Sequence, residues 1–175
     1  MRITMIQSNK PPEFYWDIQG EYIFFLKGHL SQWWHSSFRF AGKDFNCAEQ
    51  FMMYQKSVLM QDEETGKKIL ETDDPKEQQR LGRLIKNFDS NLWDKVKYQI
   101  VYLGNFLKFY QNKDLREVLF QTDNKQLVEV NPKDIVWGIA LSMENPDRLD
   151  PKKWKGENLL GSILTNVRRE LQIGN

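Results

Sequence analysis

Apolar positions follow two different periods along this chain. Near the start they alternate: residues 14–18 and 21–26 form two β-like runs flanking Gln19-Gly20, which predicts a hairpin. Residues 37–46 alternate weakly, with Phe38, Phe40 and Phe45 around Gly42-Lys43-Asp44, which predicts two further strands and a turn. From Cys47 the period lengthens, and Phe51, Tyr54, Val58 and Leu59 fit one helix face. Asp74-Pro75 is a helix-start signal with proline at the first helical position, and Leu81, Leu84 and Ile85 continue an apolar stripe. Ser90 is placed to cap a long helix through Leu92, Val96, Ile100, Leu103, Leu107 and Tyr110. A short helix over 114–122, a strand over 126–130 and an amphipathic helix over 158–171, with Gly174 just past its end, complete the pattern. The count predicts an α+β fold: a mostly helical single domain with a small antiparallel β-sheet, and no wound βαβ array. Residues 1–13 read as a lead-in and 14–175 as the domain.

Length agrees with that picture, since 175 residues make one domain able to bury most of its apolar surface. A lone cysteine, Cys47, allows no intrachain disulfide and suits a reducing compartment. The first ten residues lack an apolar signal run, and no apolar stretch is long enough to span a bilayer, so the expected location is cytoplasmic. A formal net charge of +1 argues against holding long duplex nucleic acid through its backbone, but leaves room for one nucleotide in a pocket. Walker A and G-x-G-x-x-G loops are absent, and His29 and His35 with one cysteine make no zinc set, so no metal or cofactor is expected.

Glu49 and Lys56 lie seven residues apart. On a helix that is about two turns, which puts both on one face about 10 Å apart, with Met52 and Met53 between them. An acid and an amine on a part-buried face have room for shifted pKa values, although a first-turn glutamate and a solvated lysine would give the same spacing. Trp93 and Trp137 are candidates to stack on a base, and core anchoring explains Trp93 equally well. Gly138 would let backbone approach a ligand, and Gly156-Glu157-Asn158 opens the last helix with free N–H groups suited to an anion.

Four segments in order resemble the NADAR (YbiA-like) family. They are 30–34 with Phe45-Asn46-Cys47-Ala48-Glu49-Gln50 through Lys56; Asn91-Leu92-Trp93; Leu127-Val128-Glu129-Val130-Asn131-Pro132 running into Asp134-Ile135-Val136-Trp137-Gly138; and Trp154-Lys155-Gly156-Glu157-Asn158-Leu159-Leu160-Gly161, ending Val167-Arg168. The likeness covers 14–172. Ser31-Gln32-Trp33 stands where the family has Ser-Asn-Phe, and Asn46 or Cys47 replaces the usual Ser or Thr ahead of the helix, Asn46 being suited to cap it. The resemblance implies an N-glycosidase acting on ADP-ribosylated guanine or on a phosphorylated ribosylamino-pyrimidine of riboflavin synthesis. The alternatives are a module that binds an NAD- or ADP-ribose-derived ligand without turnover, or a protein-docking domain. Glycosidic cleavage needs a carboxyl group for the leaving atom or water, and negative charge near the oxocarbenium-like centre. The resemblance places Glu49 and Asp134 in the pocket and offers Lys56 as the amine that attacks C1 of the opened ribose. Glu129, Trp93, Trp137, Gly138, Gly156 and Asn158 are the expected substrate contacts, with a nucleotide-like small molecule or an ADP-ribosylated base as partner.

Overall fold

The computed structural model describes residues 16–174; the 1–13 lead-in and the start of the first expected strand lie outside them. Strands β1 (Trp16–Gln19) and β2 (Tyr22–Phe25) form the expected antiparallel hairpin, turned at Gly20 with φ +55°. Strand β5 (Gln126–Glu129) joins the other side of β2 with Phe25 opposite Glu129. That pairing is parallel, so the sheet of the α+β domain is mixed. Five helices intervene between β2 and β5, and a long crossover of this kind is what a parallel neighbour requires. Strands β3 (Phe38–Phe40) and β4 (Lys43–Phe45) make a separate antiparallel hairpin. Its turn falls at Ala41-Gly42, one step earlier than the sequence suggests. Both residues have positive φ, 48° and 77°, as a tight two-residue hairpin requires.

Helix α1 (Ala48–Leu59) begins under Cys47, not Asn46. The Cys47 Sγ accepts from the Gln50 N–H at 3.4 Å, and the Gln50 side-chain oxygen accepts from the Asn46 N–H at 2.8 Å. This reciprocal cap frees the Asn46 side chain to reach Asp73. Helix α2 (Glu63–Glu71) has no counterpart in the sequence pattern, because Ile69 and Leu70 are its only apolar residues. Asp74 caps α3 (Pro75–Gly82) as expected. The long helix α4 (Ser90–Gln111) is capped by Asp89 rather than Ser90, through the Leu92 N–H at 3.0 Å. Its buried face runs Val101, Gly104, Asn105, Lys108 and Phe109, rotated from the expected stripe, and Leu92 and Tyr110 are exposed. Val58 and Leu84 are likewise on the surface. Helix α5 (Lys113–Phe120), two 3₁₀ turns and helix α6 (Leu159–Ile173) complete the chain. Among the described residues no helix is long and apolar enough to cross a membrane.

The main core joins β2 and β5 to α1, α4 and α6 through Ile23, Phe25, Leu127, Met52, Val101 and Ile163, all at most 3% exposed. Close packing of α6 on β5 depends on Gly161, where a Cβ would lie 2.0 Å from the Leu127 carbonyl. This stack carries the C-terminal ends of β2 and β5 to the N-terminal half of α1, where the cavity opens.

Candidate active site

A cavity of about 970 Å³ lies between α1, the start of α4, the end of β5 and the loops after β2 and β5. Six of the nine residues singled out in the sequence line it: Glu49, Lys56, Trp93, Glu129, Asp134 and Trp137. They come from three separate stretches of chain, 49–56, 93 and 129–137, so only the fold brings them together.

Glu49 stands in the first turn of α1 and is 2% exposed. One carboxyl oxygen, Oε1, is buried without a hydrogen-bond partner. Burial pushes its pKa up to about 8. A hydrogen bond from the Trp33 side chain pulls the other way, and the Asp134 charge adds to the rise. Glu129 ends β5, 9% exposed, with Oε2 also buried and unpartnered. Desolvation, then the Asp134 and Glu49 charges, push it up to about 8. Asp134 opens the loop after β5, and its Oδ1 accepts from the N–H groups of Val136 at 2.9 Å and Trp137 at 2.8 Å. That turn presents Trp137 to the cavity.

Lys56 lies two turns along α1 from Glu49. Its Nζ donates to the Gly82 carbonyl at 2.9 Å and lies 4.3 Å from the centre of the Phe88 ring and 5.7 Å from that of Trp93. Burial lowers its pKa; the Glu49 charge opposes that shift and the nearby Arg83 adds to it. The amine therefore reaches its neutral, nucleophilic form more easily than a solvated lysine.

Gly138, Gly156 and Asn158 do not line the cavity; they build its support. A Cβ on Gly138 would lie 2.9 Å from the Glu129 carbonyl, and one on Gly156 would lie 2.3 Å from the Gly138 carbonyl. These glycines admit neighbouring backbone, where a ligand was expected. Asn158 is buried at φ +52°, and its side chain makes no helix cap. Its Oδ1 accepts from the Glu129 N–H and its Nδ2 donates to the Leu127 carbonyl, both at 3.0 Å. The amide thus clips the free edge of β5 beside Glu129.

The sequence reading missed much of the lining. Arg83, at the end of α3, and Lys97, on α4, form a cationic wall with Lys56. Trp33, Trp34 and Phe88 add aromatic surface. Arg83 and Lys97 look like ordinary surface charges in sequence, and only the helix packing brings the exposed Arg83 and the half-buried Lys97 to the cavity. Cys47 is buried, with Sγ 3.2 Å from the Gln78 side-chain oxygen and its pKa pushed up to about 11 by burial. Among the described residues no group of three His, Cys, Asp or Glu is arranged to hold a metal ion.

The family model for the NADAR domain matches residues 15–172. The chain belongs to the NADAR family. Its relatives there include N-glycosidase R617 of Acanthamoeba polyphaga mimivirus, 42% identical over 148 residues, covering 82% of this chain and 87% of that protein. Another is the riboflavin biosynthesis protein VVA0006 of Vibrio vulnificus, 28% identical over 83% of this chain but only 36% of its own length. The solution structure of Escherichia coli YbiA superposes with a TM-score of 0.73 at 26% identity, over 92% of this chain and 90% of YbiA. The shared NADAR fold therefore extends over nearly the whole chain.

Proposed function

We propose that this protein is an N-glycosidase that cleaves the bond between a ribosyl carbon and a nitrogen. One observation carries the reading: two buried carboxyl groups, each with an unpartnered oxygen, share a cavity with a partly desolvated lysine. The names of the relatives, N-glycosidase among them, support it.

At neutral pH a carboxyl group titrating near 8 is largely protonated, so Glu49 can give its proton to the departing nitrogen. Asp134 supplies negative charge beside the electron-poor C1, and Glu129 binds a ribose hydroxyl through its unpartnered oxygen. Lys56 adds its lone pair to C1 of the opened sugar, the C1–N bond to the base breaks as the nitrogen takes the Glu49 proton, and a Lys56 imine remains; water then hydrolyses the imine, releasing the sugar as its aldehyde and restoring the amine. Trp93 and Trp137 offer faces for a base, and Arg83 with Lys97 offers charge for a phosphate. Both a phosphorylated ribosylamino-pyrimidine and ADP-ribosylated guanine present these groups.

The test is incubation with each compound, followed by chromatography for the freed base or pyrimidine. Release from at least one is the expected result. Saturable binding of both with no release would mean that the cavity sequesters its ligand, and would overturn the catalytic reading.

A further inference from the structure

Lys108 is a lysine with no contact to solvent, 0% exposed in the last turn of α4 and outside the cavity lining. Its Nζ donates to two backbone carbonyls, His29 at 2.7 Å and Ser31 at 2.8 Å. One turn earlier, the equally buried Asn105 donates from Nδ2 to the Gln32 side-chain oxygen at 3.3 Å. All three partners belong to the loop between β2 and β3. The same loop is tied to the first turn of α1, where the Gln32 carbonyl accepts from the Glu49 N–H at 3.0 Å. Its next residue is Trp33, which lines the cavity and hydrogen-bonds the Glu49 carboxyl group.

A methionine would fill the space of Lys108 without the cost of burying an ammonium, and replacing buried charge by apolar bulk is often neutral or stabilising. What methionine cannot do is donate hydrogen bonds to the His29 and Ser31 carbonyls, of which that of Ser31 has a second donor, the Trp34 N–H at 3.2 Å. We propose that Lys108 is a positioning residue: with Asn105 it fastens the 29–33 loop to α4, and so fixes Gln32 and Trp33 against the Glu49 end of α1. Lys108 acts through the loop and touches no reacting atom. The kinetic part of its test rests on the N-glycosidase reading; the titration part does not.

The experiment follows the Glu49 carboxyl by carbon NMR as pH is raised, with the signal assigned by its loss in Glu49→Gln. In Lys108→Met the loosened loop lets water reach the Glu49 carboxyl group, whose raised pKa comes chiefly from burial. The Glu49 midpoint then moves down from about 8 by roughly one unit. In the same variant kcat falls about 10- to 100-fold with KM little changed, as expected when a catalytic group is misplaced. If Lys108→Met does not fold, Asn105→Leu loosens the same loop and must shift the midpoint in the same direction. An unchanged or raised midpoint in a folded variant overturns the proposal. If the parent protein releases no base from any ribosyl compound, the N-glycosidase reading fails and the titration alone decides the role of Lys108.

Discussion

At one end of the cavity Glu49 and Glu129 are buried, each with an oxygen that nothing satisfies; at the other, Lys56, Arg83 and Lys97 each already hold a partner. Lys56 donates to the Gly82 carbonyl, Arg83 to the Gln79 side chain at 2.8 Å, and Lys97 to Asp94 at 2.7 Å. The difference is one of solvent. The acid floor is dry, so its charge is expensive and its proton occupancy responds strongly to anything that enters. The cationic wall is part-solvated, and its neutral or exposed partners can be exchanged for a phosphate at little cost. The floor is built for a step that moves a proton, and the wall for a step that binds. Lys56, on the same helix as Glu49, belongs to both.

If that division holds, the largest loss should come from removing ionisation at the floor. Glu49→Gln keeps the shape and is expected to lower kcat about 10²–10⁴-fold with folding intact. A variant with parental turnover would end the assignment. Lys56 sharpens the comparison. Borohydride added during turnover should trap the imine as a mass increase on the peptide that carries Lys56. Lys56→Arg keeps the positive charge of the wall, yet should abolish the adduct and lower turnover about 10²-fold, because a guanidinium is no nucleophile at neutral pH. Robust turnover in Lys56→Arg with no trapped adduct would leave direct attack of water, and would assign Lys56 wholly to the binding wall.

Legibility in the sequence follows the same line. The floor could be read, because Glu49 and Lys56 share a helical period, and Asp134 and Trp137 lie in a compact motif. The wall could not, because Arg83 ends a short helix of mostly polar residues and Lys97 lies in a lysine-rich turn that reads as solvated. Lys108 was hidden for a different reason. Flanked by Leu107 and Phe109, it falls on the polar side of the stripe that the apolar residues trace, and its burial comes from loop carbonyls with which sequence periodicity has no connection. Gly138, Gly156 and Asn158 read in the sequence as substrate contacts, but their close neighbour is backbone. A glycine shows that something approaches closely without showing what. The parallel β2–β5 pairing was invisible because register across a hundred intervening residues is set by the packing of α1, α4 and α6 and not by any local turn.

The smallest expected effect concerns the cost of keeping the floor dry, read as stability against pH. The Glu129 pKa rises from 4.5 to about 8 on folding, so between those values the folded protein holds a proton that the unfolded chain has lost. Stability therefore declines as pH rises through that window and levels off above it, the sign opposite to that of a salt-bridged carboxylate. Glu129→Gln removes this contribution because an amide does not titrate. Compared with the parent at pH 4.5, where both are uncharged when folded, the variant should gain in melting temperature as pH rises to 8. A gain of roughly 2–8 °C is expected if one to two kcal/mol of the linkage survives relaxation of the site. Above pH 8 the gap should stop growing. Thermal melts of both proteins across that range decide it. A gap that stays constant with pH would mean that Glu129 is solvated enough to ionise in the folded state. The contrast between a dry floor and a wet wall would then rest on Glu49 alone.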